Sequence, residues 1–325
     1  MKNFEYLTPK TIGEALNYLE MHGDKAKIIA GGVDLISLLK EWIEDPEILI
    51  NIKGIKELKF VREDENFLRI GSLVTLSEIT QNEIIKKNYG ILVESCLKAA
   101  SPQVRNQGTI GGNLCQRPRC WYFRGNFNCL RKDGTICYAV QGDNRYHAIF
   151  SPGGCYYVHP SDPAVALIAL DAKVKIMNKK EEKIIDLERF FVNTDKDVKK
   201  ETILDRNDIL SEILIPKKKK KIEERFFKVS DRAVWSFAIV NLAGIFEVQK
   251  GVCNFSRIAI GGVAPVPLRA SRVEESIKDK KLNEKIIKIA SDVAVQGATS
   301  MEMNDYKLDL VKNLIDKTLS SLTGN

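Results

Sequence analysis

Residues 28–36 read "IIAGGVDLI", a β-run that breaks at two glycines and gives way to a helix start, and "GTIGGNL" at 108–114 repeats the arrangement. Paired glycines accept positive φ and carry no Cβ to block an approaching group. Successive N–H groups in such a turn form a concave nest for a phosphate, reinforced where a helix begins. A single pair of glycines marks an ordinary tight turn. Two nests in one chain suit the two phosphates of a dinucleotide. Neither segment is a G-x-G-x-x-G fingerprint, so the doubly wound dinucleotide fold is not supported.

Outward from these loops, "TIGEALNYLEMH" at 11–22 places Ile12, Ala15, Leu16 and Leu19 at helical spacing, with Thr11 as N-cap. "KIIA" is a strand entering the first loop, and "LISLLKEWIE" is a helix leaving it. "EILINI", "LKFVRE" and "FLRIGS" read as strands. "TLSEITQNEIIKKN" and "GILVESCLKAAS" read as helices that lead to the second loop. "PAVALIALDAKVKIM" passes from an apolar helix to a strand, and "ILSEILIP" is a strand closed by Pro216. Residues 223–265 read as strand alternating with helix, and 271–322 as helices. This mixture is α+β.

With 325 residues, 44% of them hydrophobic and 29% charged, the chain has room for two domains or three small ones. The formal charge is +7, much of it from "KKKKK" at 217–221. Between two strands, that run reads as a solvated linker rather than a nucleic-acid patch. It divides the chain into 1–216, a linker at 217–222, and 223–325. No apolar leader opens the sequence and no run is long enough to span a bilayer, so a cytoplasmic protein without a membrane span is expected.

Four stretches together carry a resemblance: "AGGVDL" at 30–35, "RNQGTIGGNL" at 105–114, "HPSDPAVALIALDA" at 159–172 and "RIAIGGVAPVPLRA" at 257–270. With them the chain resembles, over nearly its whole length, the FAD-binding medium subunit of the molybdenum hydroxylases, the xanthine dehydrogenase and carbon monoxide dehydrogenase family. The resemblance implies a two-subdomain FAD-binding domain of the vanillyl-alcohol-oxidase type, followed by a smaller α+β C-terminal domain. The first loop has no His, so FAD is expected without a covalent link. By the same resemblance Ile28, Ile29, Ala30, Gly31, Gly32, Val33, Asp34 and Leu35 wrap the pyrophosphate. Thr109, Gly111, Gly112 and Asn113 form the second cofactor loop. Asp162 bonds a cofactor hydroxyl, Lys228 approaches the flavin, and Leu210 touches the adenine or the flavin ring. Read without the resemblance, Asp162 is an N-cap for "PAVALIALDA".

Five of the seven cysteines fall within 115–155, and four of these, Cys120, Cys129, Cys137 and Cys155, are spaced C-x8-C-x7-C-x17-C. A cysteine cluster in a reducing compartment is more suited to a metal than to disulfides. Structural zinc sites pair their cysteines two to four residues apart, and no pair in this set does so. The insertion, about 115–158, resembles the one that binds an extra [4Fe–4S] cluster in 4-hydroxybenzoyl-CoA reductase and the aldehyde oxidoreductases of the family. Four thiolates are what such a cluster requires. Cys155 is taken as the fourth ligand, with Cys115 as the rival, and Cys96 and Cys253 as core residues. Arg117, Arg119, Arg124, Arg131 and Lys132 are expected to lower the thiol pKa values. Trp121, Tyr122 and Phe123 are expected to shield the site. His147 and His159 read as structural, hydrogen-bonded side chains.

The expected function is that of an electron-transfer subunit. A large partner subunit would hold a molybdenum cofactor, a small one two [2Fe–2S] clusters, and an external acceptor or donor would meet the FAD. No catalytic side chain is assigned. Two other classes fit parts of the sequence: a zinc-stabilised basic module for polyanions, and a free-standing FAD oxidoreductase. The first lacks aromatic residues in a stacking pattern. The second lacks an acid–base pair beside a substrate pocket.

Overall fold

The computed structural model describes residues 1–217 and 222–323. Three sheets organise it. In the first, three parallel strands place Ile48–Asn51 between Glu5–Leu7 and Ala26–Ile29. Helix Ile12–His22 connects the outer two. Thr11 caps it by accepting from the Glu14 N–H at 3.1 Å, and Ala15, Leu16 and Leu19 bury their face in one core with Ile48 and Ile50.

The second sheet is antiparallel, in the order Val61–Glu63, Phe67–Gly71, Ile209–Pro216, Lys173–Met177, Glu182–Asp186. Its central strand, Ile209–Pro216, is buried up to its last residue. The one carboxylate there, Glu212, accepts a two-pronged hydrogen bond from Arg69 at 2.9 and 2.6 Å. Such a pair offsets the cost of removing the charge from water.

The third sheet runs Leu268–Arg269, Val252–Gly261, Val240–Gln249, Glu223–Val229, with Lys280–Lys281 on Val252–Gly261. Helices Ser271–Ile277, Glu284–Val293 and Tyr306–Ser320 pack on it. Helix Asp162–Ala169 ties the second and third sheets together. All eight of its residues are buried, as a helix that is apolar on every side requires. It lies against helix Gly90–Leu97 and strands Val240–Gln249 and Val252–Gly261. Cys96 and Cys253 are buried in the two largest apolar cores. Among the described residues no helix is long and apolar enough to cross a membrane.

Four expectations change. Residues 223–265 hold three strands and no helix. Val240 through Phe246 are all buried, so the strand loses its alternation and its period cannot be told from a helix. "TLSEITQNEIIKKN" is two helices, Leu76–Gln81 and Glu83–Asn88. Asn82 leaves helical geometry and caps the second, accepting from Ile84 and Ile85 at 3.1 and 3.2 Å. "LISLLKEWIE" stays helical only over Leu35–Lys40, and Trp42 sits at positive φ. The Asp162 cap is in fact Ser161, whose hydroxyl accepts from Ala164 at 3.0 Å. Residues 218–221 of the lysine linker lie outside the described residues.

The cysteine-rich insertion is irregular apart from helix Trp121–Arg124 and a 3-10 turn at Leu130–Lys132. Its far end is held by the C-terminal half. Lys307, fully buried, donates to the carbonyls of Tyr146, His147 and Gly262 at 3.0, 2.9 and 2.8 Å.

Candidate functional site

The two glycine loops lie against each other. A Cβ on Gly31 would stand 2.0 Å from the Gln107 carbonyl oxygen, so only glycine lets the first loop rest on the chain entering the second. Gly32 takes φ 74° and supplies the expected left-handed turn. The second pair behaves differently. Gly111 and Gly112 lie in helix Ile110–Leu114, whose cap Thr109 accepts from the Gly112 N–H at 3.1 Å. Gly111 is needed for closeness, since its Cβ would come within 2.7 Å of the Ser72 Cβ. The second loop is therefore a helix start and not a positive-φ nest.

Between the loops lies a cavity of about 300 Å³. Ile28 through Leu35, Thr109, Gly111, Gly112, Asn113 and Leu210 all line it. Ser72 Oγ and Arg119 Nε, also in its wall, are buried and have no hydrogen-bond partner among the described residues. Buried polar atoms are ordinarily paired. A wall that joins two glycine-bearing loops to unpaired polar atoms fits the polar portion of a dinucleotide.

Asp34 has a role that its sequence position did not reveal. Its carboxylate accepts from the Arg117 backbone N–H at 2.8 Å, from Arg124 at 2.7 Å and from Arg119 at 2.9 Å. Arg124 also donates to Ser37 at 2.9 Å. The first loop is thus fastened to the entrance of the cysteine insertion.

A second cavity of about 300 Å³ meets the first at Arg119 and is walled by Trp121, Tyr146, His159, Trp235, Phe237 and Asn241 among others. Trp235 and Phe237 are half exposed. Asp162 and Lys228 line neither cavity; they form a buried ion pair at 2.8 Å just behind this one. Lys228 also donates to the carbonyls of Lys98 and Ser236, at 2.7 and 2.8 Å. Asn241 donates to the other Asp162 oxygen at 2.6 Å, leaving its own Oδ1 unpaired in the cavity wall. Burial holds the Asp162 carboxyl above its usual range, and Lys228 and Asn241 oppose that shift without cancelling it. His159 bridges the two regions. Its Nε2–H donates to the Leu114 carbonyl at 3.3 Å, and its Nδ1 accepts from the Ser161 N–H at 3.4 Å.

Cys120, Cys129, Cys137 and Cys155 line a third, small cavity of about 10 Å³, with Tyr122, Phe123, Arg131, His147 and Tyr157. Cys115 is not among them and lines the first cavity instead. Among the described residues no group of His, Cys, Asp or Glu stands close enough to hold a single metal ion as the side chains are placed. Four thiols nevertheless line one small space, and four thiolates are the donor set that a [4Fe–4S] cluster requires. Three polar atoms in its wall, Arg131 Nε, His147 Nδ1 and Tyr157 Oη, are buried without partners. His147 Nε2 lies 3.3 Å from Cys120 Sγ. Trp121 faces the second cavity, whereas Tyr122 and Phe123 shield the thiols.

The expected lowering of the thiol pKa values by basic neighbours does not hold generally. Burial pushes Cys120 up to about 11. A hydrogen bond from Cys155 brings Cys137 down to about 6, and the same contact, with burial, pushes Cys155 up. Arg117, Arg119 and Arg124 are occupied elsewhere by Asp34, Glu44 and Glu201, and Lys132 donates to the Gly125 carbonyl. Arg131 lowers the Cys155 thiol, against a larger upward push from Cys137 and burial.

Known proteins are similar to this chain in both of its halves. Residues 2–218 match the family described as FAD binding domain in molybdopterin dehydrogenase, and residues 225–322 match the CO dehydrogenase flavoprotein C-terminal domain. The aldehyde oxidoreductase FAD-binding subunit PaoB of Escherichia coli is 33% identical over 325 residues, covering 98% of both chains. The nicotinate dehydrogenase FAD-subunit of Eubacterium barkeri is 26% identical over 323 residues, 98% of this chain and 95% of that one. A solved carbon monoxide dehydrogenase from Hydrogenophaga pseudoflava superposes with a TM-score of 0.78 at 25% identity, over 97% of this chain and 96% of that one. With both halves of the chain matched in order, the protein belongs to the FAD-binding medium subunits of the molybdenum hydroxylases, and is a flavoprotein subunit of an oxidoreductase.

Proposed function

We propose that the chain relays electrons between the iron–sulfur centres of a molybdenum-containing assembly and an external acceptor or donor, using FAD and one [4Fe–4S] cluster. The observation that carries this reading is the adjacency of the three cavities. Arg119 belongs to the walls of the first and second, and Cys120, His147 and Tyr157 belong to those of the second and third. FAD, when bound, supplies the exchange between two-electron and one-electron partners.

The residues divide the work. Ile28 to Leu35 and Thr109 to Asn113 hold the phosphates, Leu210 supplies an apolar wall, and Arg119 offers a guanidinium between the two larger cavities. Trp235 and Phe237 cover the second cavity from the solvent side. Asp162 and Lys228 act one layer back, fixing Asn241 and the Ser236 carbonyl segment. Cys120, Cys129, Cys137 and Cys155 are the cluster ligands, a choice supported by Cys115 lining the first cavity instead.

PaoB and the nicotinate dehydrogenase FAD-subunit are named as subunits. By analogy the present chain joins a large molybdenum-cofactor subunit and a small [2Fe–2S] subunit. The chain would have the domain division 1–216, 217–222 and 223–325, and its free thiols suit the cytoplasm.

The test is anaerobic purification followed by flavin, iron and sulfide analysis. The expected result is about one FAD per chain and four iron atoms. Serine at Cys120, Cys129, Cys137 or Cys155 should abolish the iron and leave the flavin, whereas serine at Cys115 should spare the iron. Zinc in place of iron, or iron that survives serine at Cys155, would refute the ligand assignment.

A further inference from the structure

We infer that Arg131 is the electrostatic partner of the four-cysteine site, placed to donate its Nε–H to a cluster sulfur and to raise the reduction potential there. The inference deepens the cluster reading above and rests on it. Arg131 follows Cys129 by two residues, in the 3-10 turn Leu130–Lys132. Its side chain is only 1% exposed. A guanidinium removed from water needs acceptors for its N–H groups and a nearby negative charge.

Part of that need is met on the side away from the thiols. Nη1 donates to the Val198 carbonyl, and Nη2 to the Lys199 carbonyl at 2.9 Å and to Glu201. Nε–H, equally buried, has no acceptor among the described residues. The guanidinium lies over the rings of Phe123 and Tyr157, 5.3 and 4.6 Å from their centres, and all three side chains belong to the wall of the cysteine cavity. The donor left over therefore belongs to a cation that lines the thiol site.

The charge is also left over. The Glu201 oxygen that accepts from Arg131 accepts from Arg117 Nε as well, at 3.2 Å. One carboxylate is divided between two guanidiniums, and Arg117 draws on Glu44 for the rest. Arg131 thus carries positive charge that its own surroundings do not fully balance, and the Cys155 thiol feels it. Reduction of a thiolate-ligated cluster adds an electron to a centre that is already negative. Hydrogen bonds to its sulfurs and a nearby cation favour the reduced state.

The experiment uses the full chain, purified anaerobically, as wild type, Arg131→Lys and Arg131→Met. Lysine keeps the cation and loses the Nε–H; methionine keeps bulk and loses both. The readout is the cluster midpoint potential, followed by electron paramagnetic resonance, with iron and FAD content as controls for folding. The expected result is a tenfold shift of the reduction equilibrium toward the oxidised cluster in Arg131→Met, which for one electron is about 59 mV. Arg131→Lys should shift in the same direction by less, and the FAD potential should stay where it was. If the methionine protein loses its iron, the lysine protein alone decides: an unchanged midpoint in it overturns the assignment. Wild type isolated without iron would overturn the cluster reading and this inference together. Wild type with iron and a midpoint indifferent to both substitutions would overturn this inference alone.

Discussion

The glycine-loop cavity and the cysteine cavity are neighbours built on opposite plans. The first, about 300 Å³, is lined by residues from several distant segments, and its two loops meet backbone to backbone where Gly31 rests on the Gln107 carbonyl. The second, about 10 Å³, is walled by side chains that belong to one irregular insertion. Where backbone rests on backbone, the contact tolerates changes of neighbouring side chains but not the addition of a Cβ. A side-chain wall has the reverse sensitivity, since each of its members has its own chemical role.

Gly31→Ala tests this most severely. The added Cβ would meet a carbonyl oxygen at 2.0 Å, and that oxygen is backbone, with no rotamer to yield. Overpacking of this kind costs roughly 3 kcal/mol, and here the strain falls directly on the cofactor loop. Flavin content should drop close to zero, with a lower melting temperature. Gly13→Ala, in helix Ile12–His22 and outside the cavity wall, is the matched control. Its Cβ meets nothing nearer than the Thr11 hydroxyl at 3.9 Å, and alanine is the better helix former by roughly 1 kcal/mol. That variant should retain its FAD. Loss of flavin from the Gly13 protein and retention by the Gly31 protein would invert the comparison.

The first glycine loop is tied to the start of the cysteine insertion at Asp34, which can be tested by a smaller perturbation. Asp34→Asn keeps the shape and removes the charge that collects Arg117, Arg119 and Arg124. Hydrogen bonds to a charged group contribute about 2 kcal/mol each, and the asparagine oxygen retains part of this. FAD affinity should fall by about twentyfold, equivalent to about 2 kcal/mol. It can be read from flavin fluorescence on titration of the apoprotein. Coupling is reciprocal, so iron retention should also weaken in this variant. An unchanged FAD affinity would mean that the first loop holds its shape without the insertion.

What the sequence disclosed and what it withheld divide along similar lines. Thr11 as a cap, the strand-to-glycine turn at 28–32 and the apolar helix after Ser161 rest on local chemistry, and local chemistry is readable in order. The pairing of the arginines was not. Asp34 finds Arg117 and Arg124 more than eighty residues away, and no pattern within either segment points to the other. Glu201, shared by Arg117 and Arg131, was missed for the same reason. The strand Val240–Gln249 was misread because enclosure on both faces erased its alternation. The second large cavity went unnoticed altogether. Its only trace is the pair of aromatic residues in the polar stretch "SDRAVWSF", which becomes a wall only once that loop is folded beside Trp121 and Tyr146.

His159 offers the finest test, because it ties the second glycine loop to Ser161 without belonging to either set of ligands. Its Nδ1 accepts from Ser161 and its Nε2–H donates to Leu114, so it is held as the neutral tautomer. A proton on Nδ1 would turn that acceptor into a second donor facing an N–H. Burial accordingly pulls the His159 pKa from 6.5 down to about 4. The unfolded chain takes up its proton near 6.5, and the folded chain resists until about 4. The stabilisation is therefore complete above 6.5 and is lost progressively as the pH falls toward 4. Between pH 7 and 5.5 the loss from this group should be about 1 kcal/mol. His147, pulled down to about 4 by burial, adds a similar slope, so the wild type alone cannot assign it. His159→Gln removes one slope and leaves the other. Denaturant midpoints for both proteins at pH 7 and 5.5 should show the wild type more stable at pH 7, with the gap narrowed by about 1 kcal/mol at pH 5.5. A gap that stays constant would mean that His159 is not held neutral, and that the stitch between the second glycine loop and Ser161 survives protonation.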